Sequence, residues 1–376
     1  MIDRRNLLGL IAAAPLLARP SMAFAASPFP TARFDQAIVI DGLGGFDDPY
    51  GKEGDVRISD RGWAEIRASG ATAFHFTMGE VGNEKDGGWL DTLKSFGQIG
   101  GFLDPNADRF MLARSAADIR AAKAAGKIAI IYGLQDTAMV GADLDRLAVL
   151  KGLGVRIVQL TYNLRNLSGD GALEPAQSGL SRLGRRTIER IEAEKLLLDL
   201  SHGGRRTIAE AVAAAKRPPI ISHTGCRALH DNPRNVDDAS LKAVANKGGV
   251  IGIYWMPFLV ANGKPTGADL VRHMDHVVKL CGEDHVAIGT DGNLSKTVID
   301  DKARARQKKF YEDRTARGIA APGEGPDIFN IVTEWDGPMR FRKLADGLAA
   351  AGWSSARIEK ALGGNLMRLY ADVWGS

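Results

Sequence analysis

The chain has 376 residues, 45% of them hydrophobic and 25% charged, and its formal net charge at pH 7 is only +4. The basic residues are spread along the chain without interleaved aromatic residues, so nothing in the sequence indicates nucleic-acid binding. A chain of this length exceeds most single domains, but β/α barrels reach it as one unit.

The N-terminus has the features of an export signal. Arg4 and Arg5 precede an apolar stretch, and small residues up to Ala25 form a cleavage site of the A-x-A type. The paired arginines indicate the twin-arginine route, with an ordinary secretory signal as the alternative. Because the apolar stretch is shorter than the roughly 20 residues that span a bilayer, we expect no stable membrane anchor. Residues 1–25 are predicted to be removed and residues 26–376 to form a single periplasmic domain.

Eight short runs of apolar and β-branched residues follow, most of them separated by segments with helical spacing. This alternation is typical of parallel βαβ units, and eight units predict an α/β fold, a closed (β/α)8 barrel of the TIM type. An open doubly wound sheet is the alternative, but no G-x-G-x-x-G motif follows the first run. The runs are Ala37–Asp41, Ala71–Phe76, Lys127–Leu134, Val155–Tyr162, Leu196–Ser201, Pro219–His223, Gly249–Trp255 and His285–Thr290.

Polar residues at the ends of these runs carry the chemical signal. His202 follows the fifth run, His223 ends the sixth, and Asp291 follows the eighth. Active sites of barrels lie at the carboxyl ends of the strands, and His, His and Asp are zinc-ligand types. The first run, in contrast, is followed by Leu43 and Gly45, where barrels of this kind usually present a pair of metal ligands.

Short blocks of sequence surround these strand ends: Leu160-Thr161-Tyr162-Asn163, Asp199-Leu200-Ser201-His202, Ser222-His223-Thr224, Pro233-Arg234-Asn235-Val236 and Ile288-Gly289-Thr290-Asp291. In order and spacing the blocks resemble those of the membrane dipeptidase family, also called renal dipeptidase-like or peptidase M19. The resemblance runs from about Ala37 to Trp374. It implies a barrel of the metallo-dependent hydrolase type, with two zinc ions bridged by a glutamate and a water molecule.

The resemblance also implies roles for individual residues. His202 and His223 match two histidines that hold one zinc ion, and Asp291 matches an aspartate that handles the proton of the leaving amine. Arg234 matches an arginine that helps to hold the substrate. Because members of the family cleave dipeptides and are commonly dimers, a small peptide-like substrate and a homodimer are implied here as well.

Four positions depart from the pattern of the family. Its His-x-Asp ligand pair falls on Leu43 and Gly45, its bridging glutamate on Gln135, and a histidine of the fourth strand on Tyr162. Leucine and glycine offer no side-chain donor, and a neutral glutamine cannot balance two cations about 3.5–4 Å apart. We therefore predict a degenerate metal site in which the two-zinc centre is lost, leaving one zinc ion or none.

The reduced site leaves alternatives open for the residues that remain. His202 and His223 would hold a single ion, with Asp291 or Gln135 as a third ligand, or would persist as hydrogen-bonded polar residues. Asp291 would otherwise act as a general acid or base, or as a salt-bridge partner.

The substrate-binding residues have structural alternatives too. Arg234 would bind an anionic substrate end through its planar guanidinium, or would pin its own loop. Tyr162 would bind the substrate or stabilise an oxyanion, or would serve only in packing. His75 lies between two phenylalanines and is expected to be packed rather than to bind a metal.

Other features carry weaker hypotheses. Asp47 and Asp48, in a glycine-rich loop, could replace the lost carboxylates if they reached inward. The charged segment Lys302–Arg317 is interpreted as a solvated loop or helix near the barrel mouth, with a lid as the alternative. Cys226 and Cys281 are expected to be free thiols, although an exported protein would permit a disulfide.

Two functions fit these observations. The first is an exported dipeptidase-like hydrolase of dipeptides or related small amides, with a mononuclear zinc site. The alternative is a catalytically altered or non-hydrolytic periplasmic protein that binds or tailors a peptide-like molecule. We favour the hydrolase, because the resemblance and half of the metal site agree.

Overall fold

The computed structural model of the protein describes residues 27–52, 54–81 and 88–375. The export signal predicted for residues 1–25 lies outside these ranges and stays a prediction. Among the described residues, no helix is both long enough and apolar enough to cross a membrane.

Strands form the centre of the fold. The described residues contain the strands β1 (Ile40–Asp41), β2 (Gly44–Gly45), β3 (Ala73–Thr77), β4 (Phe110–Leu112), β5 (Ile128–Leu134), β6 (Val155–Gln159), β7 (Leu197–Asp199), β8 (Ile220–Thr224), β9 (Val250–Ile253), β10 (Val286–Ile288) and β11 (Gly292–Asn293). Eight of them pair in parallel in the order β1-β3-β5-β6-β7-β8-β9-β10, and β10 pairs back with β1. Each barrel strand overlaps one of the eight predicted runs, which confirms the predicted (β/α)8 barrel.

Three short strands were not anticipated. β4 pairs with the first half of β5, beside the barrel. β2 and β11 pair with each other in parallel, with Gly44 opposite Gly292 and Gly45 opposite Asn293. This two-stranded ladder lies just beyond the ends of β1 and β10, so it joins two loops at the barrel mouth.

Helices surround the barrel, and several begin at a side chain that satisfies a free backbone N–H. Ser115 and Asp118 form a reciprocal capping box, as do Thr266 and Asp269. The helices are α1 (Thr31–Gln36), α2 (Asp60–Ala68), α3 (Trp89–Leu103), α4 (Ala116–Ala124), α5 (Arg146–Leu153), α6 (Arg182–Ala193), α7 (Arg205–Ala214), α8 (Asp238–Asn246), α9 (Gly267–Cys281), α10 (Asp301–Ala316), α11 (Arg340–Ala350), α12 (Ser355–Glu359) and α13 (Asn365–Trp374).

The core leaves one end of the barrel for a site. All seven residues of β5 are buried, as expected for a strand of a parallel barrel that is covered on both faces. One apolar cluster contains a residue from every barrel strand together with Leu366, Leu369 and Tyr370 of α13. α13 therefore covers one end of the barrel, in contact with β7, β9 and β10, and the opposite, carboxyl end carries the polar strand ends.

Two weaker hypotheses can be compared with the fold. Cys226 and Cys281 are both free thiols, the first buried and the second half-buried. The charged segment Lys302–Arg317 forms α10 and its C-terminal cap, and most of its side chains are exposed. Arg314 is an exception, because its side chain is buried and points into the barrel mouth.

Candidate active site

Two histidines meet at the carboxyl end of the barrel. His202 follows β7 and His223 lies within β8, and both side chains are buried. Their Nε2 atoms are 2.8 Å apart. The structure therefore brings together the two residues that were predicted to hold a metal ion.

Outer partners fix the protonation of both rings. The Asn163 side-chain amide donates to the carbonyl oxygen of Ile319 at 2.7 Å, so its Oδ1 accepts from His202 Nδ1 at 2.6 Å. The Ser222 hydroxyl donates to Asp199 at 2.5 Å and accepts from His223 Nδ1 at 2.8 Å. Each Nδ1 must then carry the proton, and each Nε2 must present a lone pair.

This arrangement suits a cation between the two rings. Burial, followed by the nearby charge of Arg234, lowers the pKa of His202 and of His223 well below the usual range, so both rings are neutral. Two facing lone pairs repel unless a positive ion lies between them. Two nitrogens bound to one tetrahedral zinc ion would be about 3.3 Å apart, so the two rings would have to separate by about 0.5 Å from the observed 2.8 Å to hold one. A hydrogen bond from each Nδ1 to an outer acceptor is also the usual support of metal-binding histidines.

Metal-binding side chains are missing at Leu43 and Gly45, on the opposite side of the barrel mouth. Leu43 is buried and offers only an apolar side chain. Gly45 belongs to the β2–β11 ladder, and a Cβ atom added there would lie 3.1 Å from Asn293 Oδ1. Within the described ranges, no three His, Cys, Asp or Glu side chains form a group that could hold a metal ion. The donor set of a two-zinc centre is therefore not assembled by these residues.

Gln135 is a further side chain with a metal-binding atom that reaches the histidine pair. It follows β5, its Oε1 accepts from the Thr77 hydroxyl at 2.9 Å, and its Nε2 lies 3.5 Å from His223 Nε2. The position predicted for a bridging carboxylate thus does reach the histidine pair. It presents an uncharged amide there.

Asp291 follows β10 in an unusual backbone conformation. Its φ is 53° and that of His202 is 59°, in the left-handed region that residues other than glycine rarely adopt. The Asp291 N–H donates to the carbonyl oxygen of Leu43 at 2.8 Å. Burial raises the pKa of the Asp291 carboxyl to about 6, although Arg234 and Arg314 oppose the shift. The carboxyl therefore titrates near neutral pH, as an acid–base group should.

Arg234 is a buried cation. Its side chain is 3% exposed, and its Nη2 has no hydrogen-bond partner. The loop is held by other groups, because the Arg234 N–H donates to Asn232 Oδ1 at 2.9 Å and its carbonyl accepts from the Thr224 hydroxyl at 3.2 Å. The guanidinium is therefore not needed to pin the loop and remains free to bind an anion.

Tyr162 lies flat against His202. Its ring stacks on that of His202, with the centroids 4.2 Å apart and the planes 24° apart. Its hydroxyl accepts from Arg314 Nη1 at 2.9 Å, and burial raises its pKa. Tyr162 therefore both packs against His202 and accepts a hydrogen bond from Arg314.

A cleft of about 860 Å³ opens beside the histidines. Gln135 and Tyr162 line the cleft and also contact His223 and His202, respectively, so they separate the open space from the histidine pair. Cavities of this size accommodate small ligands.

The weaker candidates take structural roles. His75 Nδ1 donates to the Gly42 carbonyl at 2.9 Å. Asp48 accepts from the N–H and the hydroxyl of Ser59 at 2.7 and 2.9 Å. Asp48 and Asp47 line a different cavity from the cleft, and burial raises the pKa of the Cys226 thiol, which keeps it protonated.

Sequence reasoning missed the residues that support the histidines. Asn163 and Asp199 stand in blocks that were recognised, but no role was assigned to either. Arg314 could not be distinguished as a site residue, since it lies in a segment rich in charged residues. Its partner Glu324 lies in the loop after α10, and neither residue could be paired with Tyr162 from spacing alone.

Comparison with known proteins settles the family. A family model described as membrane dipeptidase (peptidase family M19) matches residues 71–304. The chain belongs to the membrane dipeptidase family. Among its relatives, an uncharacterized protein in the pqqA 5' region of Klebsiella pneumoniae is 26% identical over 280 residues, covering 72% of this chain and 91% of the relative. The dipeptidase ataJ of Aspergillus terreus is 27% identical over 318 residues, covering 77% of this chain and 70% of the relative.

Solved structures agree with the barrel. An amidohydrolase from Pseudomonas aeruginosa superposes with a TM-score of 0.76 at 29% identity, covering 92% of this chain and 99% of that chain. The probable dipeptidase PvdM from the same organism gives 0.71 at 19% identity, covering 91% and 97%, and shows the shared fold. The predicted family, metallo-dependent hydrolase fold and enzyme class are confirmed: the chain is a metallo-dipeptidase-like hydrolase.

Proposed function

We propose that this protein is an exported hydrolase of dipeptides or related small amides that works with a single zinc ion. The observation that carries the proposal is the pair of neutral histidines, His202 and His223, whose Nε2 lone pairs face each other at 2.8 Å. Bound there, zinc would supply Lewis acidity toward a carbonyl oxygen and a water molecule. Twin-arginine export to the periplasm and a homodimer are further parts of the proposal, and they rest on the signal sequence and the family resemblance.

The third ligand is proposed to be Gln135 or Asp291. The two ends of the Gln135 amide can be exchanged without losing the hydrogen bond to Thr77, because a hydroxyl both donates and accepts. The amide oxygen would then face His223. An amide oxygen is a weak zinc ligand, so this site would bind its ion less tightly than a site with three strong ligands.

Arg234 is proposed to bind the carboxylate of the substrate. A buried guanidinium with an unpartnered Nη2 carries an uncompensated desolvation cost, and a planar carboxylate would remove it with paired hydrogen bonds. Asn232 and Thr224 already hold the backbone of this loop. Tyr162 would contact the same substrate on the side of His202, because its ring lines the cleft there.

Asp291 is proposed to move the proton of the reaction. With its pKa raised to about 6, the carboxylate would accept a proton near neutral pH and deliver it to a leaving amine. Its attachment to the backbone of Leu43 fixes the loop that carries it. The proposed reaction class is therefore hydrolysis of an amide in a substrate that carries a free carboxylate.

The test is metal content together with turnover. Protein purified after natural export is analysed for zinc and assayed with a panel of dipeptides, in parallel with His202→Ala/His223→Ala. A His276→Ala/His285→Ala variant serves as the control, because those rings bind Asp238 and the Gly249 carbonyl away from the site. One zinc equivalent that only the first variant loses, with dipeptide turnover, is expected. Protein without zinc or turnover would contradict the hydrolase and favour a peptide-binding protein.

A further inference from the structure

Helix α10, which follows the last barrel strand, is linked to the histidine pair through buried polar contacts. We call Arg314 of α10, together with Ile319 and Glu324 of the following loop, the α10 clasp. These residues lie outside the matched family region, which ends at residue 304. Arg314 contacts Tyr162 and Ile319 contacts Asn163, and these two residues in turn contact His202.

Arg314 is the centre of the clasp. Its Nε and Nη2 donate to the two carboxylate oxygens of Glu324 at 2.6 and 2.7 Å, and Arg314 and Glu324 are both largely buried. Its Nη1 donates to the Tyr162 hydroxyl at 2.9 Å. Because the guanidinium is planar and held on three sides, it fixes the position of the tyrosine ring.

Ile319 is the second contact of the clasp. Its carbonyl oxygen accepts from Asn163 Nδ2 at 2.7 Å and from Arg314 Nη2 at 3.1 Å. Since the amide nitrogen of Asn163 is bound to this carbonyl, the amide oxygen faces the opposite way. It accepts from His202 Nδ1 at 2.6 Å.

His202 is therefore held on two sides by residues that the clasp positions. Tyr162 covers the face of the ring, and Asn163 selects the tautomer with the proton on Nδ1. We propose that the α10 clasp is a positioning device that sets the orientation and tautomer of His202 and so prepares its Nε2 for a metal ion. The metal part rests on the proposed function, whereas the tautomer is a property of the protein without metal.

Simple anchoring of α10 is the competing explanation. The only buried residues of this helix are Ala303 and Arg314, so Arg314 could serve merely to attach it. Anchoring would require only Glu324 and the Ile319 carbonyl. It would predict a loss of stability without any change at His202, which makes the two explanations separable.

The experiment removes the clasp without leaving a buried charge. Arg314→Met leaves the buried Glu324 carboxylate without its cation, although the Ala321 N–H still donates to it. The double variant Arg314→Met/Glu324→Gln is therefore compared with it and with the wild type. Arg304→Met is the matched control, since Arg304 is an exposed residue of the same helix. The long-range proton–nitrogen NMR spectrum of histidine-labelled, metal-free protein reports each tautomer, and His202→Gln assigns the signal among the seven histidines. Co²⁺ titration, followed by visible absorption, reports metal affinity.

The wild type and Arg304→Met are expected to show His202 only as the Nδ1–H tautomer. The clasp variants are expected to show mixed tautomers and an affinity for Co²⁺ about 10–100-fold weaker, the usual effect of lost outer partners. An unchanged tautomer, or a Co²⁺ affinity within about twofold of the wild type, would overturn the proposal. If the wild type binds no Co²⁺, the proposed function fails at its metal site, and the tautomer alone decides the role of the clasp.

Discussion

The two sides of the barrel mouth are held together by different means. On the side of β7 and β8, which we call the retained side, side chains do the work: His202 and His223 are each fixed by an outer hydrogen bond. On the side of β1 and β10, which we call the vacated side, backbone pairing holds the loops together instead. There the β2–β11 ladder joins two loops where ligands would otherwise stand.

On the retained side, both histidines have their outer hydrogen-bond partners in place. Asn163, Ser222 and Asp199 still surround the retained histidines. On the vacated side, Gly45 brings the loop within van der Waals distance of Asn293, and an added Cβ would make that contact tight. Loss of ligands there is accompanied by closure of the backbone, so single substitutions should not reopen that side.

The largest effect is expected at Asp291, which links the two sides. Its N–H is bound to Leu43 on the vacated side, and its carboxylate is near the cations Arg234 and Arg314. Asp291→Asn removes the acid–base group and should lower kcat by a factor on the order of 10²–10⁴. Steady-state kinetics with a dipeptide measures this. Zinc content should remain as in the wild type where Gln135 is the third ligand, whereas loss of zinc would identify Asp291 as that ligand. A kcat within about threefold of wild type would assign the proton transfer elsewhere.

The next largest effect is expected on the KM of an Arg234 variant, because Nη2 of this buried guanidinium has no hydrogen-bond partner. Arg234→Met should raise KM for dipeptides about 10–100-fold, because charge-assisted hydrogen bonds to a carboxylate are lost. The matched control is chemical: the same dipeptide with its C-terminal carboxylate converted to an amide should be affected little. Equal losses for both substrates would show that Arg234 acts on the structure of the site rather than on the carboxylate.

A substitution at Gln135 tests whether a stronger third ligand would complete the proposed metal site on the retained side. Gln135→Glu places a carboxylate 3.5 Å or less from His223 Nε2, where the amide now lies. Because carboxylates bind zinc more strongly than amides, zinc affinity should rise about tenfold, equivalent to about 1.4 kcal/mol. Isothermal titration measures it, with Gln98→Glu on α3 as an exposed control. No gain would indicate that the third ligand comes from elsewhere.

The smallest expected effect is on stability. Folding raises the pKa of the Asp291 carboxyl from its usual value near 4 to about 6. Its contribution to the free energy of unfolding is therefore fully present below pH 4 and is lost as the pH rises through 6. In metal-free protein, Asp291→Asn should be more stable than wild type by about 1 kcal/mol at pH 8, after allowance for solvent screening. Urea unfolding at pH 4 and pH 8 measures this, and an equal difference at both pH values would rule out ionisation as the cause.

Much of the fold could be predicted because it depends on local patterns. Each apolar run became a barrel strand, since period and length identify buried strands without knowledge of their neighbours. His202, His223 and Asp291 were identified for the same reason, because the carboxyl end of a strand is a defined place in a barrel. The sequence also showed which ligands were missing at Leu43 and Gly45.

The remainder depends on contacts that no local pattern encodes. Tyr162 and Arg314 are 152 residues apart, and their pairing depends on how the chain returns to the mouth after β10. The β2–β11 ladder is built from short glycine-containing segments, which carry no strand signal. The tautomers of the histidines depend on which outer acceptor each Nδ1 meets, and this requires coordinates.

The lowered pKa of the retained histidines has a consequence for competition between metal ions and protons. A histidine of ordinary basicity must give up a proton before it binds a metal, so its affinity weakens in mild acid. His202 and His223 are already neutral, because their pKa values lie well below the usual range. Uptake of an ion by this pair should release few protons and should vary little between neutral and mildly acidic surroundings. An exported protein, as proposed for this chain, would thereby keep a bound ion through changes in external acidity.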